Sequence, residues 1–175
     1  QSHGLEPGAC PEEFNASHPE VIPGMARAYF DAGSEMVLTY SFGANRFMLA
    51  KYGYGDRVAG FNRLAAGLAR GQAPAGGYVI GSVGPSGEFL QPLGEVSEPE
   101  MLDAFTEQML ALEEGGADGV VIETMTALEE AGIIGYGPTN PRPVQRPSLD
   151  EQVRQGRMQR YETDYEEQVR RAFPG

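Results

Sequence analysis

Residues 39–51 read TYSFGANRFMLAK, and they follow directly on a short apolar run that favours a β-strand. The same succession of an apolar run and a small polar or glycine-rich turn recurs at GSVGPSGE (residues 81–88) and GADGVVIETM (residues 116–125). Parallel α/β proteins present ligand-binding groups in this way, at the carboxyl ends of their strands. The three stretches therefore predict a parallel sheet with a binding site at one end.

Helical patterns separate the predicted strands, which are residues 36–40, 78–82 and 119–122. The last of these helices has Ser97 and Pro99 at its start, where both residue types are favoured, and Gly115 at its end. Such helices are long enough for right-handed βαβ crossovers. The predicted helices cover residues 19–32, residues 46–70 with a break near 53–56, and residues 98–114.

Composition excludes several classes of function. The net charge is -12 with only 13 lysines and arginines, which argues against a nucleic-acid partner, because phosphate binding depends on clustered cations. No apolar run approaches the roughly 18 residues of a membrane span. A single cysteine excludes an intrachain disulfide framework and fits a reducing compartment. The sequence predicts a soluble cytoplasmic protein with neither nucleic acid nor membrane as a partner.

Six segments within about residues 4–131 together resemble the amino-terminal half of a homocysteine S-methyltransferase domain. The resemblance implies a (β/α)₈ TIM-barrel fold of the α/β class, apparently incomplete, with strands two to four recognisable. It also implies methyl transfer to the thiol of homocysteine. The segments are PGACPEEFN, HPEVI, AYFDAGSEMVLTYSFGANR, GSVGPSGEFLQPLG, AFTEQMLALEEGGADGVVIETM and LEEA.

The resemblance also implies roles for individual residues. The turn after the family's second strand binds the homocysteine carboxylate through backbone N–H groups, here those of Ala44 and Asn45, and such a turn into a helix is a sound anion site. The acidic residue that closes the fourth strand binds the substrate ammonium, and Glu123 matches it. The glycine-rich loop after the third strand lines the same site. The implied substrate-binding residues are Phe42, Ala44, Asn45, Gly84, Ser86 and Glu123.

Each assignment has a structural alternative. Glu123 could instead pair with Arg46 or cap the following helix. Asn45 could serve only as the N-cap of the helix after it, a role that is compatible with anion binding. Gly84 could be needed only for the backbone geometry of its turn. Cys10 is expected to be an ordinary loop or core thiol.

The family holds its catalytic zinc with three cysteine thiolates, and this chain has one cysteine. Cys10 lies at no position that matches a ligand, and neither His3 nor His18 has a metal-binding spacing. Zinc is therefore expected from the family, but the zinc-ligand strands are not found. No metal ligand and no catalytic residue can be identified in this chain, and the methyl donor stays unknown.

Three regions are predicted along the chain: a partial methyltransferase-like barrel at residues 1–131, a proline- and glycine-rich linker at 132–148, and an amphipathic helical tail at 149–175. With 175 residues the chain is shorter than the roughly 200–250 of a typical barrel. We therefore expect a completing segment or a second copy of the chain. Two functions stay open: a homocysteine methyltransferase, or a non-catalytic half-barrel that serves as a binding or assembly subunit.

Overall fold

The computed structural model describes the backbone of residues 5–135 and the side chains of residues 5–134. Helices and parallel strands alternate along most of this part of the chain, which confirms the α/β class. The elements are α1 (Phe14–Ser17), α2 (Val21–Asp31), β1 (Met36–Leu38), α3 (Arg46–Ala50), α4 (Val58–Arg70), β2 (Tyr78–Val83), α5 (Glu98–Glu114), β3 (Gly119–Ile122) and α6 (Leu128–Gly135).

The sheet has the order β1-β2-β3, with both pairings parallel. All three strands occur where the sequence predicts them, but β1 ends at Leu38, two residues early. The reason is chemical: the backbone N–H of Ser82 donates to the Thr39 hydroxyl (3.1 Å). A side chain thus takes the place of a main-chain acceptor, and the chain after Thr39 is released from the sheet to form a turn.

The predicted break in the first crossover is present, since α3 ends at Ala50 and α4 begins at Val58. Helix α5 has the predicted bounds and a complete capping box, in which Ser97 and Glu100 each accept the other's backbone N–H. Helices α1 and α6 were not predicted. With four residues, α1 is too short to show a helical period.

The core lies between the sheet and helices α4 and α5. Gly81 of β2 is required there, because a Cβ atom on it would lie 2.7 Å from a methyl group of Leu112. The absence of this side chain lets α5 pack closely on the central strand. The largest cluster of buried apolar residues contains Ala66, Val83, Met101, Phe105, Leu112 and Ile134.

The outer strands leave apolar side chains in solvent: Met36 and Leu38 of β1 are each about half exposed. Whether a completing segment or a second copy covers them stays a prediction. No helix among the described residues has both the length and the apolar character needed to cross a membrane. Helix α6 runs across the predicted domain boundary at residue 131, and the rest of the predicted linker and the whole predicted tail lie outside the described residues.

Candidate functional site

A cleft of about 280 Å³ opens at the carboxyl ends of the three strands. The segments that follow β1 and β3 meet there with Ser82, near the end of β2, and with the chain just before α1. The lining combines apolar Pro11, Leu38 and Phe42 with polar Glu12, Thr39, Tyr40, Ser41, Ser82 and Glu123. The strand ends therefore meet as predicted, and they form a cavity large enough for a small metabolite.

Hydroxyl groups form a connected network across the floor of the cleft. Ser41 Oγ donates to the carbonyl oxygen of Ser82 (2.8 Å), so the short contact between the Thr39 and Ser41 hydroxyls (2.6 Å) has Thr39 as the donor. Ser82 Oγ donates to Oε1 of Glu123 (2.6 Å). One carboxylate oxygen of Glu123 is thus fixed by the protein, and Oε2 receives no hydrogen bond from the described residues.

The Glu123 side chain is half-buried and has no cationic partner in the described part of the chain. Arg46 pairs instead with Glu107 (2.6 Å), so the alternative of a pairing between Arg46 and Glu123 is wrong. The next residue, Thr124, has a φ of 62°, a left-handed conformation that is costly for a β-branched side chain. A charged group thus lies at the end of β3, beside a residue in a strained conformation and without a counter-ion among the described residues.

The turn after β1, residues 41–45, is called the SFGAN turn below. Buried side chains and backbone groups from four other segments form hydrogen bonds with its backbone and with that of the adjoining residue 40. This is an unusually large number of buried hydrogen bonds for one turn. Such support preorganises a loop for binding. The bonds are Asn15 Nδ2 to Tyr40 O (2.8 Å), Gln108 Nε2 to Ser41 O (2.9 Å), Gly84 N to Phe42 O (2.8 Å), Gly43 N to Glu12 Oε1 (2.7 Å) and Asn62 Nδ2 to Ala44 O (2.8 Å).

The six predicted binding residues do not all line the cleft. Phe42 and Glu123 line the cleft. Ala44 and Asn45 are fully buried in the SFGAN turn, and the Ala44 N–H donates to the carbonyl oxygen of Ser41 (3.0 Å). Asn45 Oδ1 accepts the backbone N–H of Met48 (3.0 Å), as an N-cap does. The Asn45 N–H itself has no acceptor within the described residues.

The two remaining predicted residues belong to the loop after β2. A Cβ atom on Gly84 would lie 2.6 Å from the Phe42 ring, so glycine is needed there for the ring to lie against the strand end. Ser86 is fully buried and does not line the cleft. Its N–H donates to Oε1 of the buried Glu130 (2.7 Å). This loop therefore supports the site, and a direct ligand contact by Gly84 or Ser86 stays a prediction.

Sequence reasoning missed Glu12, whose side chain is only 6% exposed. Nothing in PEEF distinguishes it from the neighbouring Glu13, because the two carboxylates differ only in where the tertiary fold places them. The residues beside it, Tyr40 and Cys10, have shifted pKa values. Burial, and then the Glu12 carboxylate, raise the pKa of Tyr40, and burial raises the pKa of the Cys10 thiol.

The described residues do not fit a catalytic zinc ion. They contain no group of three histidine, cysteine or acidic side chains that could hold a metal. Cys10, the single cysteine of the sequence, is buried, and its Sγ lies 3.5 Å from Oε2 of Glu12. Zinc binds the thiolate, whereas burial beside a carboxylate keeps this thiol protonated. The expectation of Cys10 as a core thiol agrees with this geometry.

Comparisons with known proteins place the chain in one group. A model of the family described as homocysteine S-methyltransferase matches residues 2–142. Methionine synthase from Mycobacterium tuberculosis is 36% identical over 140 residues, which cover 75% of this chain and 12% of that protein. Methionine synthase from Mycobacterium leprae is 35% identical over 140 residues, with 75% and 11% covered. The chain thus spans about one eighth of the length of these relatives.

A solved structure supports the fold. The homocysteine methyltransferase MmuM from Escherichia coli, in its oxidised form, superposes with a TM-score of 0.63. The superposition covers 76% of this chain and 52% of that protein at 22% identity. The three-stranded parallel sheet and its helices are therefore similar in fold to part of that enzyme.

Proposed function

Because the chain belongs to the homocysteine S-methyltransferase family, we propose that its cleft binds homocysteine as the acceptor of a methyl group. In the proposed reaction a methyl group passes from a donor to the sulfur, and the thiol proton is lost. The described residues supply recognition of the amino acid. They supply no means of activating the thiol, so no step is assigned to them at the sulfur.

One observation carries the proposal: Glu123 lines the cleft with one carboxylate oxygen that receives no hydrogen bond, and with no cationic partner, among the described residues. Ser82 holds Oε1 at 2.6 Å, which leaves Oε2 for a ligand. An unpaired, half-buried carboxylate favours a cationic ligand group, and the α-ammonium of an amino acid is the cation that the family's substrate carries. Homocysteine is small enough for the cleft, and its ammonium group is complementary to the charge of Glu123.

The SFGAN turn provides the second contact. The Ala44 N–H is already bonded within the turn, so the Asn45 N–H, which has no acceptor among the described residues, is the donor we assign to the ligand carboxylate. Because Asn45 is fully buried and does not line the cleft, this contact requires the turn to shift when the ligand binds. Phe42 of this turn lines the cleft together with Glu123 and offers an apolar surface to the methylene groups of the ligand. The two charged ends of the amino acid would thus be held from different strand ends.

A second function is favoured by a specific observation. The single cysteine of the sequence cannot supply three thiolates, so the chain could bind an amino acid without transferring a methyl group. In that case it acts as a binding or assembly subunit. Methyl transfer to homocysteine by the purified 175-residue chain, in the presence of added zinc and a methyl donor, would decide for the enzyme.

The test of the proposed site is a calorimetric titration of the full chain with L-homocysteine and with 4-mercaptobutyrate, which lacks only the α-amino group. The wild-type protein should prefer homocysteine. Glu123→Gln removes the charge that the ammonium meets and should weaken homocysteine binding by about tenfold or more, since hydrogen bonds between charged groups contribute about 1.5–3 kcal/mol. Binding of 4-mercaptobutyrate should change little.

Glu113→Gln is the matched control, because this exposed glutamate of α5 lies outside the cleft and the substitution makes the same change of charge. Its affinity for homocysteine should equal that of the wild-type chain. Equal affinities of wild-type and Glu123→Gln protein for homocysteine would contradict the assignment of the ammonium site.

A further inference from the structure

Two carboxylates are buried among the described residues, those of Glu12 and Glu130, and of these two only Glu12 lines the cleft. It is 6% exposed and lines the cleft, and none of the ion pairs within the described residues involves it. Burying a carboxylate is costly unless hydrogen bonds compensate it. The burial of the Glu12 carboxylate at the wall of the cleft therefore needs an interaction that compensates its free-energy cost.

The compensation comes from what the carboxylate binds. Glu12 Oε1 accepts the N–H of Gly43, in the centre of the SFGAN turn, at 2.7 Å. A bond from a backbone N–H to a carboxylate is of the stronger, charge-assisted kind. Oε2 has a far weaker donor, the Cys10 thiol at 3.5 Å. The strong contact of Glu12 is therefore with the turn.

A second contact ties the same two segments together. Asn15 Nδ2 donates both to the carbonyl oxygen of Glu12 (2.9 Å) and to that of Tyr40 (2.8 Å). The chain before and within α1 is thus joined to the start of the SFGAN turn and to its centre. These two attachment points add to the bonds from Gln108, Gly84 and Asn62, and the contact with Glu12 is the one that binds the Gly43 N–H at the centre of the turn.

The fit at this contact is close. A Cβ atom on Gly43 would lie 2.9 Å from Oε1 of Glu12, closer than real Cβ atoms approach other atoms. Glycine at this position lets the carboxylate reach the backbone. The sequence thus pairs a glycine at the centre of the turn with a buried acid that occupies the space of its missing side chain.

We propose that Glu12 is a positioning residue for amino-acid binding: it holds the Gly43 N–H and thereby positions the SFGAN turn, whose residues Ser41 and Phe42 line the cleft, for contact with the ligand. The inference rests on the proposed function for its ligand. Glu12 acts through the turn and through its hydrogen bond, whereas Glu123 acts on the ligand and through its charge.

The test compares two substitutions that separate the hydrogen bond from the charge, in the full chain. Glu12→Gln keeps an oxygen that accepts the Gly43 N–H, and Glu12→Ala removes it. Glu12→Ala should weaken L-homocysteine binding by about tenfold or more, and Glu12→Gln should restore the affinity to within about threefold of wild type. Glu13→Gln, which changes the neighbouring and more exposed carboxylate, should bind as wild type.

Two results would overturn the proposal. Wild-type affinity in Glu12→Ala would mean that the turn does not depend on this bond. Equal loss in Glu12→Gln and Glu12→Ala would mean that the charge acts on the ligand directly. If Glu12→Ala does not fold, Gly43→Ala takes its place, because its Cβ separates the turn from the carboxylate; weakened binding supports the proposal and unchanged binding in the folded variant contradicts it.

The amide proton shift of Gly43, measured by NMR without ligand, separates this proposal from the proposed function. The shift should move upfield in Glu12→Ala, because a strong hydrogen bond is lost, and should stay near the wild-type value in Glu12→Gln. If the wild-type chain does not bind homocysteine, the proposed function fails and the shift alone decides whether Glu12 holds the turn. An unchanged shift in Glu12→Ala overturns the proposal in either case.

Discussion

The two ends of the sheet use their carboxylates in opposite ways. At the amino end, Asp118 accepts the Val79 N–H (2.7 Å) and forms an ion pair with Arg70, which also donates to the carbonyl oxygens of Gly116 (2.9 Å) and Gly77 (3.2 Å). At the carboxyl end, the carboxylates in the cleft have no cation beside them in the described part of the chain.

The difference shows how one sheet serves stability and binding separately. Charges that are satisfied within the protein contribute to folding, whereas a charge left without a counter-ion can be satisfied by a ligand. In α/β barrels the strand ends divide in this way, with function at the carboxyl end and stability at the amino end. Substitutions at the two ends should therefore change different measured quantities.

The largest expected effect on folding comes from the support of the SFGAN turn. Asn62 is fully buried and donates to the carbonyl oxygens of Ala44 and Val58. Asn62→Leu leaves the buried Ala44 carbonyl without this donor and should lower the free energy of unfolding by about 2 kcal/mol. Homocysteine affinity should fall with it. Urea denaturation and calorimetric titration of the same protein measure both.

The matched control is Gln72→Leu, which removes an exposed amide that bonds Arg27 at 3.3 Å. Its free energy of unfolding should stay within about 0.5 kcal/mol of wild type, with unchanged affinity. Should Asn62→Leu bind homocysteine as tightly as this control, the turn would not need its buried support for binding.

A smaller effect on stability is expected at the amino end. Arg70→Met removes the ion pair with Asp118 and the two bonds to carbonyl oxygens. Since the side chain is about one third exposed and solvent screens its charge, the loss should be about 1 kcal/mol. Homocysteine affinity should not change. A substantial loss of affinity in folded Arg70→Met protein would show that the two ends are not independent.

The smallest effect is a change in pH dependence. The hydrogen bond from the Val79 N–H and then the pairing with Arg70 lower the pKa of Asp118. A lowered pKa in the folded state stabilises the protein fully above the unfolded value of about 3.9, and this stabilisation is lost as the pH falls through the folded value. Asp118→Asn should therefore flatten the loss of stability in acid.

Denaturation midpoints of the wild-type chain and Asp118→Asn, measured from neutral pH down to about pH 2, test this effect. The two curves should converge at the acid end. Parallel curves over the whole range would show that Asp118 titrates no differently in the folded and unfolded states.

Local sequence signals predicted the elements well. The bounds of α5 follow from Ser97, Pro99 and Gly115, which act within one turn of helix. The β-favouring runs located all three strands. The early end of β1 was not predictable in this way, because it depends on a bond between Thr39 and Ser82, which are 43 positions apart.

The site was predicted only in part, again because some of its residues are brought together by contacts between segments that are far apart in the sequence. Phe42 and Glu123 adjoin strand ends, so their place at the cleft follows from topology. Glu12, Asn62 and Gln108 support the SFGAN turn from three separate segments. Residues of these types are ordinarily exposed, and only the tertiary packing that buries them gives them a role.

The most direct test of the account follows backbone amide signals by NMR while L-homocysteine is added to the full chain. Concentration-dependent shifts are expected at the carboxyl end, at Phe42, Asn45 and Glu123, with unchanged signals at the amino end, at Gly116 and Asp118. Shifts at the amino end alone, or no shifts at either end, would contradict the claim that the cleft between the strand ends binds the amino acid.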